Sequence, residues 1–178
     1  MSDFQMYEYV VAQKMTGKWK IKKLSLLLGY FLFIILWFVF GFVTKFFPLL
    51  CLMPVTLWIL IFFTWRYVKV EHEYSMSSGD ITFSDIYGGK SRKTLISFKI
   101  KSCSLIAPAT EEYIKQAKSF APDVVVEARS STSAPDSYIA LVDMDGRRAA
   151  VYFEATEKAL KIFKFYNASC TVASKVSF

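Results

Sequence analysis

Histidine and cysteine are scarce in this chain. His72 is the single histidine, and the three cysteines, Cys51, Cys103 and Cys170, form neither a Cys-x-x-Cys pair nor a cluster with the histidine. This pattern excludes structural zinc sites and thioredoxin-like chemistry, because both need closely spaced ligands or thiols. Cys51 lies in an apolar stretch, so at most one disulfide could form in the rest of the chain. Reduced thiols in a cytosolic compartment are the simpler interpretation.

A complete catalytic set is also missing. His72 stands in an alternating strand pattern, which is more typical of packing than of a catalytic base, and no Ser-His-Asp set can be assembled around it. The Gly88-Gly89-Lys90-Ser91 sequence lacks the earlier glycine of a phosphate loop. Asp143 and Asp145 lack the further acidic ligands of a calcium loop. We therefore expect no enzymatic activity, no cofactor and no bound metal.

Charged residues are absent from two long stretches, residues 24–43 and 46–65, which only Thr44 and Lys45 separate. Each stretch has 20 residues, and an α-helix of about that length crosses a hydrocarbon core of about 30 Å. The first run is too long for the apolar part of a signal peptide, and no cleavage motif follows it. Residues 24–65 are therefore predicted to form a two-helix transmembrane hairpin, an anchor without intramembrane charges to conduct ions.

Basic residues predict the orientation of this hairpin. Positive side chains near the ends of spans stay on the cytoplasmic side of a membrane. Only Lys45 lies at the tip, whereas the expected membrane-flanking residues lie at the two ends: Lys18, Lys20, Lys22 and Lys23 before it, and Trp65 and Arg66 after it. We therefore expect a cell-membrane protein with two spans and both termini in the cytoplasm.

Residues 1–23 form a basic cytoplasmic segment in this scheme. Apolar residues recur in it at helical spacing, at Phe4, Tyr7, Val10, Val11 and Met15. The pattern predicts a short amphipathic helix on the cytoplasmic interface of the membrane. A frayed polar tail is the alternative.

Residues 66–178 are predicted to form one cytoplasmic domain, because apolar and polar residues alternate there with a period of two. The net charge of this segment, +3, comes from interspersed basic and acidic residues, which is not typical of a nucleic-acid surface. Thr110 and Thr156 are predicted to cap two helices, and residues 119–137 to include the most mobile loop. About six or seven mainly antiparallel strands are predicted, around residues 67–74, 81–87, 92–100, 103–107, 124–128, 138–144 and 147–154.

Strands closed off by a C-terminal helix outline a barrel of the pleckstrin-homology (PH) type. A closer likeness lies in EHEYSMSSGDITFSDIYGGKSRKTL at residues 71–95 and AAVYFEATEKALKIFKFYN at residues 149–167, together with the basic lead into the hairpin. In these segments the chain resembles a family of Firmicute membrane proteins in which a two-helix transmembrane hairpin is followed by a bacterial PH-like domain. The resemblance implies an α+β membrane protein with a mainly antiparallel PH-like barrel or sheet and a C-terminal helix. It implies no activity.

Two functions are compatible with this outline. The first is a membrane-anchored, cytoplasm-facing PH-like scaffold or adaptor that binds a protein partner or a second copy of the chain, since sheet edges can accept a peptide strand. The alternative is a module that contacts anionic lipid headgroups through basic hairpin loops, at Lys90, Arg92, Lys93, Arg147 and Arg148. Residues 76–80, the first hairpin loop, contain no basic residue, which disfavours inositol phosphates. The expected partners are the bilayer and a protein, not a nucleic acid.

Overall fold

A computed structural model describes residues 6–45 and 47–172. The elements follow one another as β1 (Met6–Ala12), α1 (Lys18–Thr44), α2 (Pro48–Cys51), α3 (Met53–Trp65), β2 (Val70–Ser77), β3 (Asp80–Tyr87), β4 (Ser91–Lys99), a 3-10 turn (Ile100–Ser102), β5 (Cys103–Pro108), α4 (Glu111–Ser119), β6 (Val124–Ala128), β7 (Ser137–Met144), β8 (Arg147–Glu154) and α5 (Glu157–Tyr166). All seven predicted strands are present as β2–β8, and both predicted helices of the domain are present as α4 and α5.

The strands of the described residues form two four-stranded sheets. The first sheet has the order β1-β2-β3-β4 and is antiparallel throughout. The second has the order β5-β7-β8-β6, in which β6 runs parallel to β8. The sheets do not join into one ring, so of the predicted barrel or sheet, open sheets are the form that the described residues adopt. Alternation along a strand indicates which face is buried, but it reveals neither the neighbouring strand nor its direction.

The main core lies between the two sheets and is built around aromatic side chains. The ring of Phe153 packs 5.5 Å from that of Phe83 and 5.5 Å from that of Phe163, measured between ring centroids. Phe163 belongs to α5, which buries Ala159, Leu160, Ile162 and Phe163. The Thr156 hydroxyl accepts a hydrogen bond from the Ala159 amide and caps this helix. The predicted C-terminal helix is therefore confirmed, and it closes one side of the core.

A smaller apolar cluster covers the other face of the second sheet. Ala117 of α4 packs there against Ile139, Leu141 and Ala150, all of them buried. Six consecutive residues of β7, from Ser137 to Val142, are buried because this strand has packed neighbours on both faces. The second sheet is thus covered on both sides, and the first sheet is the more open of the two.

The N-terminal segment is a strand, which corrects the predicted amphipathic helix. Tyr9 of β1 pairs with Tyr74 of β2 in an antiparallel register. Tyr7, Tyr9 and Val11 face the domain, whereas the residues between them are exposed. Short apolar patterns with tyrosine and valine fit either element, and here pairing with β2 decides the outcome. Phe4, assigned to the same helix, lies outside the described residues.

This pairing also changes the predicted order of hairpin and domain. Gln13 donates its backbone N–H to the Val70 carbonyl at 3.0 Å, so the helices α1, α2 and α3 are inserted between two neighbouring strands of one sheet. The domain therefore begins before the helices instead of following them at residue 66.

Both helical arms are long and apolar enough to cross a membrane, at Lys18–Thr44 and Pro48–Trp65. The second arm is divided at Leu52, just before Pro54, into α2 and α3. The Tyr30 hydroxyl bonds to the Thr64 hydroxyl at 2.5 Å, and Trp37 Nε1 donates to the Leu49 carbonyl at 3.2 Å. Phe46, the first residue of the second predicted span, lies outside the described residues.

Candidate functional site

The two arms meet the first sheet at one end, which we call the junction. It consists of the ends of four strands, at Ala12, Val70, Tyr87 and Ser91, and the helix ends attached to them. Because β1 and β2 are adjacent, α1 leaves and α3 arrives at the same end of the sheet.

The β3–β4 hairpin packs directly against the C-terminal end of α3 and the residues that follow it, which we call the foot of α3. The Gly88 amide donates to the Lys69 carbonyl at 2.8 Å. Gly88 has a φ of +59°, and a Cβ atom at this position would lie 3.0 Å from the Cβ of Arg66. Only glycine combines this backbone conformation with so close an approach. The hairpin that carries Lys90 is therefore fixed beside Arg66 and Lys69.

Between α3 and this hairpin lies a cavity of about 380 Å³. The side of α3 supplies an apolar wall that includes Trp58, Ile61 and Phe62. The foot of α3 and the hairpin supply a basic rim, consisting of Arg66, Lys69 and Lys90. Among the residues that the structure describes, no aspartate or glutamate lines this cavity.

The predicted membrane-flanking residues gather at the junction. We call Lys18, Lys20, Lys22, Lys23, Arg66 and Lys69 the basic collar, since they lie on the first turns of α1 and just after α3. The Lys23 ammonium lies 5.9 Å from the ring centroid of Trp65, across the two arms. This contact places the first turns of α1 beside the end of α3, so basic residues from two distant stretches of sequence lie at the same end of the arms.

A family model described as Bacterial PH-like domain (DUF6106) matches residues 3–172. The chain belongs to this family. The resemblance to bacterial PH-like domains is thereby confirmed. No curated protein and no solved structure matches the chain. The matched region of the DUF6106 domain contains β1 and the helices as well as the later strands, in agreement with the inserted arrangement.

The five basic residues predicted to touch lipid are divided between two ends of the DUF6106 domain. Lys90, Arg92 and Lys93 lie at the junction, on the β3–β4 hairpin and the start of β4. Arg92 donates to the Glu73 carboxylate at 2.7 Å, so its charge is already balanced. Lys90 and Lys93 are exposed and form no ion pair with the described residues.

Arg147 and Arg148 lie at the far end of the second sheet. Strand β8 starts with them and runs parallel to β6. Ser130, two residues after the end of β6, accepts a hydrogen bond from the Lys14 amide at 2.9 Å beside the junction. The length of β8 places the two arginines about 20 Å from that end of the sheet. The structure does not bring them together with Lys90.

A buried polar network at the junction was not predicted from the sequence. His72 is 4% exposed. Its Nδ1 lies 2.7 Å from Asp85 Oδ1, and its Nε2 lies 2.7 Å from Gln13 Oε1. The Gln13 amide nitrogen donates to the Ser130 carbonyl at 2.7 Å, which fixes the amide orientation. Both ring nitrogens thus lie within hydrogen-bonding distance of side-chain oxygen atoms.

This network ties the end of β1, strands β2 and β3 and residue 130 together. Both ring nitrogens of His72 contact side chains of the fold itself. No serine, threonine or cysteine of the described residues bonds to His72. In the described part of the chain, no three potential metal ligands cluster. PH-like domains are generally binding modules without catalytic activity.

The cysteines of the described structure are all free thiols. Cys103 is buried in the main core, and this burial raises the pKa of its thiol from 9.0 to about 12. At neutral pH the thiol is therefore protonated and weakly nucleophilic. Burial also raises the pKa of the Tyr74 hydroxyl, which donates to the Ala128 carbonyl and links the two sheets. Both residues have structural roles.

Proposed function

We propose that the chain is a membrane-anchored interaction module whose helical arms lie in the bilayer and whose PH-like domain faces the cytoplasm. The insertion of two apolar helices between the paired strands β1 and β2 is the observation that carries the proposal. A domain joined to its anchor at both of these strands cannot move far from the membrane surface, so any ligand is bound next to the bilayer.

The exposed surface of the arms supports the anchor. Large apolar side chains point away from the protein along both arms, including Leu36 and Val39 of α1 and Trp58 of α3. None of the second arm is buried inside the protein, so it is not a core helix of a soluble fold. A continuous apolar surface of this kind needs a covering, and a bilayer provides one of the right thickness.

The charge distribution supports the cytoplasmic orientation. The basic collar lies at the domain end of the arms, and Lys45 is the lone basic residue at the tip. Membrane-impermeant maleimide should label a Lys45→Cys variant in intact cells, in a background with alanine at Cys51 and Cys170. A Lys69→Cys control should be labelled only after permeabilisation. The reverse pattern would contradict this orientation.

The outer edge of β1 is the surface we propose for a protein partner. Because Gln13 bonds to Val70, the odd-numbered residues of β1 bond to β2 and the even-numbered ones direct their backbone groups outward. No backbone hydrogen bond from the described residues reaches Met6, Glu8 or Val10 there. An extended peptide adds to such an edge through its main chain.

Site-specific photo-cross-linking tests this surface. A photoreactive amino acid at Glu8 should give a discrete adduct in cells, and Val10→Pro should abolish it, because proline removes an outward N–H without disturbing the ladder to β2. A photoreactive residue at Lys99, at the far end of β4, serves as the control. Adducts of twice the chain mass would identify a second copy as the partner. Adducts that survive Val10→Pro, or their absence from position 8, would contradict binding at this edge.

A second candidate function, contact with anionic lipid, is favoured by the position of Lys90. The hairpin that carries it is fixed beside the basic collar, at the level where lipid headgroups would lie if the arms cross the membrane. Arg147 and Arg148 do not contribute in this arrangement. An isolated 66–178 fragment would be unsuitable for a lipid-binding test, because it lacks β1 and Gln13.

A further inference from the structure

We propose that the cavity between α3 and the β3–β4 hairpin is a binding site for one anionic phospholipid. The phosphate group would lie on the basic rim, and an acyl chain would lie along the apolar wall of α3. The inference rests on the proposed membrane anchoring and adds to it a defined site with a defined ligand class.

The apolar wall has the form that an acyl chain requires. Trp58, Ile61, Phe62 and Trp65 follow one another at helical spacing and line the cavity from one side of α3. The rings of Trp58 and Phe62 stack with their centroids 5.7 Å apart. Trp58 and Phe62 are also exposed on the outside of α3, at 65% and 56%. The wall is therefore continuous with the surface that faces the bilayer, and a lipid could reach it laterally.

The basic rim lies at the domain end of the same wall. Lys69 and Lys90 form no ion pair with the described residues. One guanidinium N–H group of Arg66 donates a hydrogen bond to the Tyr67 hydroxyl at 2.9 Å, and the other N–H groups of this side chain remain available as donors. Ser91 adds a hydroxyl to the lining. Three cations and a hydroxyl without a carboxylate among them are complementary to a phosphate group.

The backbone segments that carry the rim are held together by the fold. The hydrogen bond from the Gly88 amide to the Lys69 carbonyl, at 2.8 Å, holds the hairpin to the foot of α3. The tight approach of Gly88 to Arg66 fixes the same contact sterically. Arg92, two residues after Lys90, is bound to Glu73 and does not line the cavity. The rim thus consists of two collar residues, Arg66 and Lys69, together with Lys90 of the hairpin.

The combination of wall and rim selects a lipid over free phosphate. A soluble phosphate would use the rim alone and leave the aromatic wall uncovered. A neutral phosphatidylcholine would use the wall, but its choline group would offset the attraction of its phosphate for the lysines. An anionic diacyl lipid such as phosphatidylglycerol is complementary to both parts.

Tryptophan quenching in reconstituted full-length protein tests the site. In a Trp19→Phe, Trp37→Phe background the remaining fluorophores, Trp58 and Trp65, both line the cavity. Brominated phosphatidylglycerol should quench them at a lower lipid fraction than brominated phosphatidylcholine, by about fivefold or more. Lys69→Gln with Lys90→Gln should remove this preference. Lys99→Gln with Lys101→Gln is the matched control, because it removes the same charge from exposed residues at the far end of β4.

The outcomes separate the site from the anchor. Preference for phosphatidylglycerol that is lost in the rim variant and kept in the control supports the proposal. Equal quenching by the two lipids, or equal loss of preference in both variants, overturns the discrete site and leaves the anchor intact. Absence of quenching by either lipid overturns the anchor and the site together. Inorganic phosphate added outside the vesicles should not compete, and competition at low millimolar concentration would also overturn a lipid site.

Discussion

At the scale of single residues, the hydrogen-bond network of His72 joins three segments of the chain at the junction. The imidazole and the Asp85 carboxylate come from β2 and β3, and the Gln13 amide follows the end of β1; the imidazole is buried, whereas Gln13 and Asp85 are half-buried. A buried polar network in which every group has a partner contributes little net free energy to folding. Removal of one partner leaves the remaining groups desolvated without a hydrogen bond, which destabilises the folded state. The network therefore specifies which strands meet there.

Replacement of His72 should therefore destabilise the folded protein. His72→Leu leaves Gln13 Oε1 unpaired and Asp85 with only the Tyr87 hydroxyl, and the free energy of unfolding should fall by about 2–4 kcal/mol. The melting temperature of the full chain in detergent, followed by circular dichroism, measures the change.

Ser97→Ala is the control for this prediction. It removes an exposed hydrogen bond of the same sheet, between Ser97 and Thr82, and should cost less than about 1 kcal/mol. A His72→Leu variant as stable as the Ser97→Ala variant would show that the network does not stabilise the junction.

The sequence predicted only part of this network, and the reason is distance along the chain. His72 and Asp85 face each other across the β2–β3 hairpin, so their pairing follows from a correct register of two predicted strands. Gln13 lies 59 positions before His72, with both apolar arms between them. Because residues 1–23 suit a helix or a tail, their sequence pattern does not place Gln13 near the sheet.

At the scale of secondary structure, β2–β8 and the helices α4 and α5 could be predicted, since each has a clear local pattern. Strand β1 could not, because its seven residues suit a helix as well as a strand. Its identity depends on the free edge of β2, which is a tertiary property. Strand β6 was predicted at the right residues, but its parallel pairing with β8 depends on how the chain crosses from β5 over α4.

The candidate site could not be predicted from the sequence, because it is formed by tertiary contacts between α3 and the β3–β4 hairpin. Lys90 was singled out as a hairpin residue and Arg66 as a membrane-flanking residue, for independent reasons. The contact of Gly88 with Arg66 combines them into one cavity. Two glycines in succession predicted the turn, but not that the first of them would allow close packing against a helix.

At the scale of the whole molecule, the apolar arms are a long connection between two adjacent strands. Gln13 and Val70 are bonded neighbours at 3.0 Å, a separation that a short β-turn can also span. The domain thus needs β1 for its first sheet, but it does not need the arms to bring β1 to β2. Folding of the domain and insertion of the arms should be separable.

A variant in which a short Asn-Gly turn replaces residues 14–69 tests this separation. It keeps Gln13, His72 and all eight strands, so it should fold, remain soluble without detergent and melt cooperatively. A fragment of residues 70–172 is the control, since it lacks β1 and Gln13 and should melt at a lower temperature or aggregate through the exposed edge of β2. If the turn variant and the fragment were equally unstable, the arms would be part of the folding unit of the domain. If both were equally stable, β1 would be dispensable, and a partner strand could then occupy its place on β2 instead of adding beyond it.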